Sequence, residues 1–245
     1  MILNDQIQFD ADTHRYFGNN NEPLISVTQL INLYKPVFDP DKRILNKCAI
    51  NKGMAPEELA AQWEKIKVDA CIRGTNIHKS IEHFILTNQI LNNDIKDIVK
   101  EFKKIKFRGK LFPEKILGNI DFGVAGTIDL IEQFDGNVVA LYDYKSSKKI
   151  SAFSPFGNKF LYPIDYLYVN EINTYSLQLS IYSYILEETY GFWVNTLTIL
   201  WANPKTHKIQ PIEVQNRRQD VEKILEHYKK YHSHKNIEEL IQKEV

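Results

Sequence analysis

Apolar and polar residues alternate with period two over 127–134 and again over 138–144, and both runs are rich in β-branched and aromatic side chains. Between them stands Asp135-Gly136-Asn137, a turn signal that joins the runs into a hairpin. Similar patterns predict strands over 111–117, 195–204 and 207–214, and a small hairpin over 6–17. Elsewhere the period is helical. A short helix is expected from Ser26 or Thr28 as N-cap to Lys35, and a long one over 56–88 with Pro56 in its first turn. Further helices are predicted over 92–107 and 173–190, and from Asn216 onward with a weak break near Ser233. Residues 150–173 follow neither period. They carry Phe153, Phe156, Phe160, Tyr162, Tyr166 and Tyr168, and long irregular segments of this kind are functional or mobile.

This order of elements predicts an α/β fold with a helical N-terminal elaboration. The length suits one domain over 1–245: a mainly helical part over 1–110, a core over 111–215 and a helical tail over 216–245.

Composition narrows the classes. Basic and acidic residues balance at 31 each, so any nucleic-acid binding must come from local patches. Cys48 and Cys71 are too few for a four-thiolate cluster or a disulfide framework. No apolar run is long enough for a membrane span, and the N-terminus has no signal or transit pattern, so an intracellular, cytoplasmic, soluble protein is expected.

The hairpin carries charges that a core element does not need: Asp129, Asp143 and Lys145. A three-residue loop pairs Phe134 with Val138 and, counted back, Asp129 with Asp143; a two-residue loop pairs Asp129 with Tyr142 instead. In the first register two carboxylates oppose each other, with Lys145 on the face of Asp143. Facing carboxylates repel. Either Lys145 compensates as an ion pair, or a hard divalent cation does. On predicted helices, Glu82 lies one turn after His78, and Gln178 and Tyr182 share a face. Glu114 sits in the strand before the hairpin. Taken singly, each of these residues has an ordinary structural explanation: a packed histidine, a surface acid, an interhelical contact.

Together they form a pattern. The chain resembles the PD-(D/E)XK nuclease superfamily, in its RecB-like exonuclease branch. "RGTNIHKSIE", with Gly74 and His78, resembles that branch's Gly-x-x-x-His helix. "GTIDLIEQFDGNVVALYDYKSSKK" resembles its Gly-x-x-Asp and Asp-x-Lys core, and "YSLQLSIYSYIL" its Gln-x-x-x-Tyr helix. "SVTQLI" is similar to the start of phage-type and mitochondrial genome maintenance exonucleases. The elements occur in the family's order over 26–201, although Ile128 replaces the proline of the family name. The cysteines of the iron–sulphur subgroups are absent, so no such cluster is expected.

The resemblance implies a restriction-endonuclease-like fold, a central mixed sheet flanked by helices. It implies one or two Mg²⁺ or Mn²⁺ ions, with Asp129 and Asp143 as principal ligands, the Tyr144 carbonyl as a third oxygen, His78 as a nitrogen ligand and Glu114 as a further position. Lys145 would orient the attacking water or stabilise developing charge, and Gln178 and Tyr182 would hold the substrate backbone or the lysine. For DNA contact the candidates are Ser146, Ser147, Lys148 and Lys149 after the active-site strand, Arg73 on the long helix, and Phe156, Phe160 and Tyr162 as base-stacking rings. Lys96, Lys100, Lys103, Lys104 and Lys106 suggest part of a basic stripe. The expected activity is a metal-dependent DNase, an exonuclease favouring single strands or DNA ends. Alternatives are a structure-specific endonuclease, an RNA-directed nuclease or a non-catalytic nucleic-acid-binding module. Phage recombination, genome processing and cellular repair are all open. No phosphate-binding glycine loop of a helicase is present, so unwinding would need a helicase or recombination partner.

Overall fold

The computed structural model describes residues 7–36, 42–154 and 157–231, with backbone alone for 42–44. Strands β1 (Gln8–Asp10) and β2 (Arg15–Phe17) form the expected small hairpin. The sequence pattern does not reveal β3 (Pro23–Ser26), because four residues running straight into a helix are too few to show a period. Ser26 ends that strand and caps helix α1 (Val27–Leu33): its hydroxyl accepts from the Gln29 amide at 3.1 Å, and the Gln29 side chain accepts from the Ser26 amide at 3.2 Å. Helix α2 (Lys42–Lys52), which the sequence reading does not predict, precedes α3 (Pro56–Thr87), whose proline start matches the sequence signal and whose left-handed cap at Asn88 falls at the expected end.

Helix α4 (Lys96–Phe102) is shorter than the periodicity suggests. The amides of Arg108 and Gly109 are held by the buried Glu132 carboxylate instead of a helical ladder. The chain then enters β4 (Lys110–Asn119), β5 (Val124–Gln133) and β6 (Val138–Lys145), crosses through α5 (Glu171–Tyr190), and finishes with β7 (Trp193–Ala202), β8 (Ile209–Glu213) and α6 (Arg218–Tyr231). The predicted break near Ser233 and the rest of the tail lie outside the described residues.

The strands form one mixed sheet in the order β1-β2-β3-β5-β6-β7-β8, with β4 on the other edge of β5. Thus the N-terminal part is not only helical: it extends the sheet by three strands, β3 joining β5 in parallel. Helices α1, α5 and α6 cover one face over the main core, which includes Leu117, Ile128 and Leu141. Helices α3 and α4 cover the other, over Leu130, Tyr144 and Leu200. This is a mixed α/β fold with a central sheet flanked by helices.

Two irregularities place the site. On its β6 side, β5 pairs with β3 only at Val124 and Ala125, and with β6 only from Leu130 onward. Between these, among the described residues, Gly126 to Asp129 has no strand neighbour on that edge. The second lies across β4 and β5. Pro113 pairs with Leu130 and Lys115 with Ile128, so Glu114 lies opposite Asp129, but that pair is missing from the ladder and Glu114 has φ +46°. Alternation breaks there. Leu111 and Leu130 pack under α3 and α4, whereas Leu117 and Ile128 pack under α5, although strict period two would keep each strand's pair on one face.

Candidate active site

The hairpin takes the three-residue loop. Phe134 donates its amide to Val138 at 2.9 Å, and the ladder runs back to Leu130 opposite Tyr142. Asp129 and Asp143 are the next positions. The strands part here, and the Asp129 carboxylate fills the opening by accepting the Tyr144 amide at 2.6 Å. Glu114, Asp129 and Asp143 therefore lie in a row across three strands. Asp129 and Asp143 are buried, at 7% and 1% exposure.

Cationic groups approach from both sides. From α3, His78 Nδ1 is 3.4 Å from Asp129 and 3.5 Å from Glu114. From β6, Lys145 Nζ is 2.6 Å from Asp143 Oδ2 and 4.9 Å from the Tyr175 ring centroid on α5. Burial alone would depress the His78 pKa, but the Asp129 and Glu114 carboxylates override it and raise it to about 9. Asp143 is pushed up to about 6, chiefly by burial, with Lys145 opposing and Asp129 adding to the rise. Burial raises Asp129 as well, against the pull of His78 and Lys145.

Among the described residues, the group whose ligand atoms converge is His78, Glu114 and Asp129, all within 4.8 Å of one another. One nitrogen and two carboxylates form a donor set that fits a divalent cation of the Mn²⁺ or Mg²⁺ kind. Glu114 Oε1 is buried, and His78 Nδ1, at 3.5 Å, is the polar group set against it. Asp143 lies outside this triad, turned toward Lys145. Sequence reasoning places Asp143 ahead of Glu114 as a ligand; the geometry gives Glu114 the more central place because its positive φ swings it toward Asp129 and His78. The Tyr144 backbone belongs to the β6 ladder beside Leu200, while its ring packs edge-on against His78 at 5.3 Å.

Helix α5 supports the opening. The Tyr182 hydroxyl is buried and donates to the Thr127 carbonyl at 2.9 Å, and Gln178 hydrogen-bonds that same hydroxyl. Gly126 makes this possible: a Cβ there would lie 2.6 Å from the Tyr182 hydroxyl. Tyr182 therefore grips the strand bearing Asp129, and its burial removes it from the groups that could hold a substrate backbone. Tyr175, one helical turn before Gln178, covers Lys145 and hydrogen-bonds Ser147. The helical spacing of Tyr175, Gln178 and Tyr182 is a signal that could have found it.

The expected DNA contacts divide. Lys148 and Lys149 are exposed beside the site. Ser146 and Ser147 carry structural bonds: Arg73 donates to the Ser146 carbonyl at 3.2 Å and Trp201 to the Ser147 carbonyl at 2.9 Å. Arg73 thus ties α3 to the segment after β6. Phe160 is a core residue at 2% exposure, because residues 157–168 fold back on the main core, and it does not stack on bases. Tyr162 is 69% exposed. Phe156 lies outside the described residues. Of the lysines on and just after α4, Lys100 pairs with Asp97, Lys104 with Glu101, and Lys103 sits over Phe84, so these three are not a bare stripe. No helix of the described residues is long and apolar enough to cross a membrane.

No protein-family model matches the chain, and no curated protein matches it. Solved structures do. One is a "Putative exonuclease" from Eubacterium rectale, with a TM-score of 0.45 and 18% identity over 89% of this chain and 80% of the other. Another is SSO0001, with a TM-score of 0.39 and 14% identity over 84% of this chain and 74% of the other.

Proposed function

We propose that the protein is a divalent-metal-dependent nuclease that hydrolyses phosphodiester bonds in DNA, acting at ends and favouring single strands. The observation that carries this reading is the row of Glu114, Asp129 and Asp143 across three strands, met by His78 on one side and Lys145 on the other. A structural ion-pair cluster would match its charges. What favours a cation is that His78, Glu114 and Asp129 bring one nitrogen and two carboxylates within 4.8 Å of one another, a donor set of the kind hard divalent ions take.

His78, Glu114 and Asp129 would hold the ion, with Asp143 beside them. A bound Mg²⁺ or Mn²⁺ would polarise the phosphate and lower the pKa of attacking water. Lys145 remains charged, since burial lowers its pKa but Asp143 and Asp129 raise it more. Its ammonium orients the water or meets the negative charge that develops on the phosphate oxygens. Tyr175 screens this ammonium from solvent, and Tyr182 holds the Asp129 strand in place. Lys148 and Lys149 steer the phosphate backbone toward the site.

The test is cleavage of end-labelled single strands with Mg²⁺ or Mn²⁺, comparing linear with covalently closed circles. Linear single strands should be degraded and circles spared; equal cleavage of both would remove end entry. Asp129→Asn and Asp143→Asn should each abolish cleavage and weaken metal binding while the protein stays folded, with an unchanged or higher metal-free Tm as repulsion is relieved. Near-wild-type cleavage by both variants would refute the assignment.

A further inference from the structure

Helix α6 lies far along the chain from the acids, but contacts lead to it from the site. Tyr175 covers Lys145 on the first turns of α5. Two residues earlier, Asn173 accepts from Arg217 at 2.7 Å, at the start of α6. Arg217 pairs with Asp220, and Asp220 accepts from the Tyr166 hydroxyl. From there a row of rings follows the helix. Lys223 sits 4.8 Å over the Tyr166 ring. His227 lies 5.4 Å from Tyr162 and 4.7 Å from Tyr231, and Lys230 sits 5.0 Å over Tyr231.

Spacing of four puts Lys223, His227 and Tyr231 on one flank of α6. The inner face is taken by Val221, Ile224, Leu225 and Tyr228. Glu222 and Glu226 fall on the other flank, near Tyr184, where Arg218 binds Glu222. The ring-bearing flank is therefore basic although the chain as a whole is neutral. Its rings keep half or more of their surface exposed beside these neighbours: Tyr162 is 69% exposed, Tyr166 50% and Tyr231 52%.

We propose that Tyr166, Tyr162 and Tyr231, with Lys223 and Lys230, form a track that binds the single-stranded part of a DNA substrate beyond the cleavage site. The proposal deepens the nuclease reading and rests on it for the nature of the substrate. Aromatic rings with lysines beside them suit a polyanion whose base faces are free. Duplex does not fit, since its bases are stacked about 3.4 Å apart and hide those faces. Successive positions along the flank, four residues apart, rise by about 6 Å, which suits bases drawn apart along an extended strand. The track runs for about 12 Å from Lys223 to Tyr231, long enough for a few nucleotides.

The test measures binding without turnover. In the Asp143→Asn background, anisotropy of a labelled 20-nucleotide oligothymidine is followed at low salt in EDTA. The triple variant Tyr162→Ala, Tyr166→Ala, Tyr231→Ala should bind at least tenfold more weakly. The corresponding triple Phe variant should keep most of the affinity, because each ring survives. Lys223→Ala with Lys230→Ala should weaken binding and flatten its salt dependence. Blunt duplex affinity should change little in the triple Ala variant. If that variant fails to fold by circular dichroism, the three single Ala variants carry the same comparison. Unchanged affinity in the Ala variants overturns the track, as does an equal loss for duplex. Because no cleavage is read, a protein that binds through these rings but never cuts would refute the nuclease reading and leave the track standing.

Discussion

Glu114 is the residue in which backbone and chemistry are most tightly joined. A glutamate at φ +46° occupies a region that costs roughly 1–3 kcal/mol for a non-glycine residue. What that conformation achieves is a carboxylate directed at His78 and Asp129. Asparagine tolerates the left-handed region better and carries no charge. Glu114→Asn should leave the metal-free Tm equal or higher, yet reduce the Tm gain on adding Mn²⁺; an undiminished gain would take Glu114 out of the ligand set. Lys145 is separable in another way. Lys145→Ala should lower the cleavage rate by a factor on the order of 10²–10³, as for loss of a charge-stabilising donor, with metal affinity broadly kept. Lys145→Arg should rescue it poorly, since a planar fork does not replace a compact ammonium 2.6 Å from Asp143. If the only effect were weaker DNA binding, Lys145 would be a phosphate clamp.

At the scale of elements, two glycines from the motifs behave differently. Gly126 stands where α5 meets β5, and a methyl there would collide with the Tyr182 hydroxyl. Gly126→Ala should cost about 1–3 kcal/mol, as overpacked sites do, and should lower activity by shifting the Asp129 strand. Gly74 is on α3, where an added Cβ would find only Ser146 Oγ at 3.8 Å, an ordinary contact. Gly74→Ala should therefore be tolerated, or stabilise by up to about 1 kcal/mol through helix propensity. Urea unfolding of the pair checks this, and equal destabilisation of both would contradict the packing given to α5. The motif letters alone do not separate these glycines. Only the approach of a second element to each one does.

For the whole molecule, the fold holds acids together against their mutual repulsion and sets His78 among them, where protons bind more tightly than in the unfolded chain. His78 is raised to about 9 from an ordinary value near 6.5, so its favourable contribution is complete below about pH 6.5 and is lost as pH rises toward 9. Asp143 is raised from 3.8 to about 6, so it too favours the fold at low pH and withdraws that support as pH rises. Both signs agree: the metal-free protein should lose stability between about pH 4 and 9. A cation needs the same imidazole and carboxylates deprotonated, so its binding strengthens over that window. The Tm gain from saturating Mn²⁺ should be larger at pH 8 than at pH 6. A gain that stays constant or falls with pH would show that protons and metal do not compete at His78.

The sequence by itself determined most of the elements and narrowed the hairpin to two registers, of which the structure takes the three-residue loop; it did not reveal β3 or α2. What it determined follows from local physics: alternation along 127–134 and 138–144, a glycine in the turn, and a proline start on α3. It also placed Asp129, Asp143, Lys145 and His78 among the candidates, because charged groups at core-building positions stand out against an apolar pattern. Tertiary structure alone decided the rest. The break of alternation at Glu114 and Asp129 comes from one backbone angle, and period-two counting assumes that such angles do not occur. Phe160 and Tyr162 look alike in sequence, yet one is core and the other open, since burial depends on which element the segment folds against. The parting of β3 and β6 along β5, which leaves room for Asp129, depends on β3 pairing with residues about a hundred positions away, and the row of rings along α6 depends on Tyr162 and Tyr166 meeting His227 and Lys223 from far along the chain. Periodicity describes a segment's own neighbours, and a site is made by those that arrive from elsewhere.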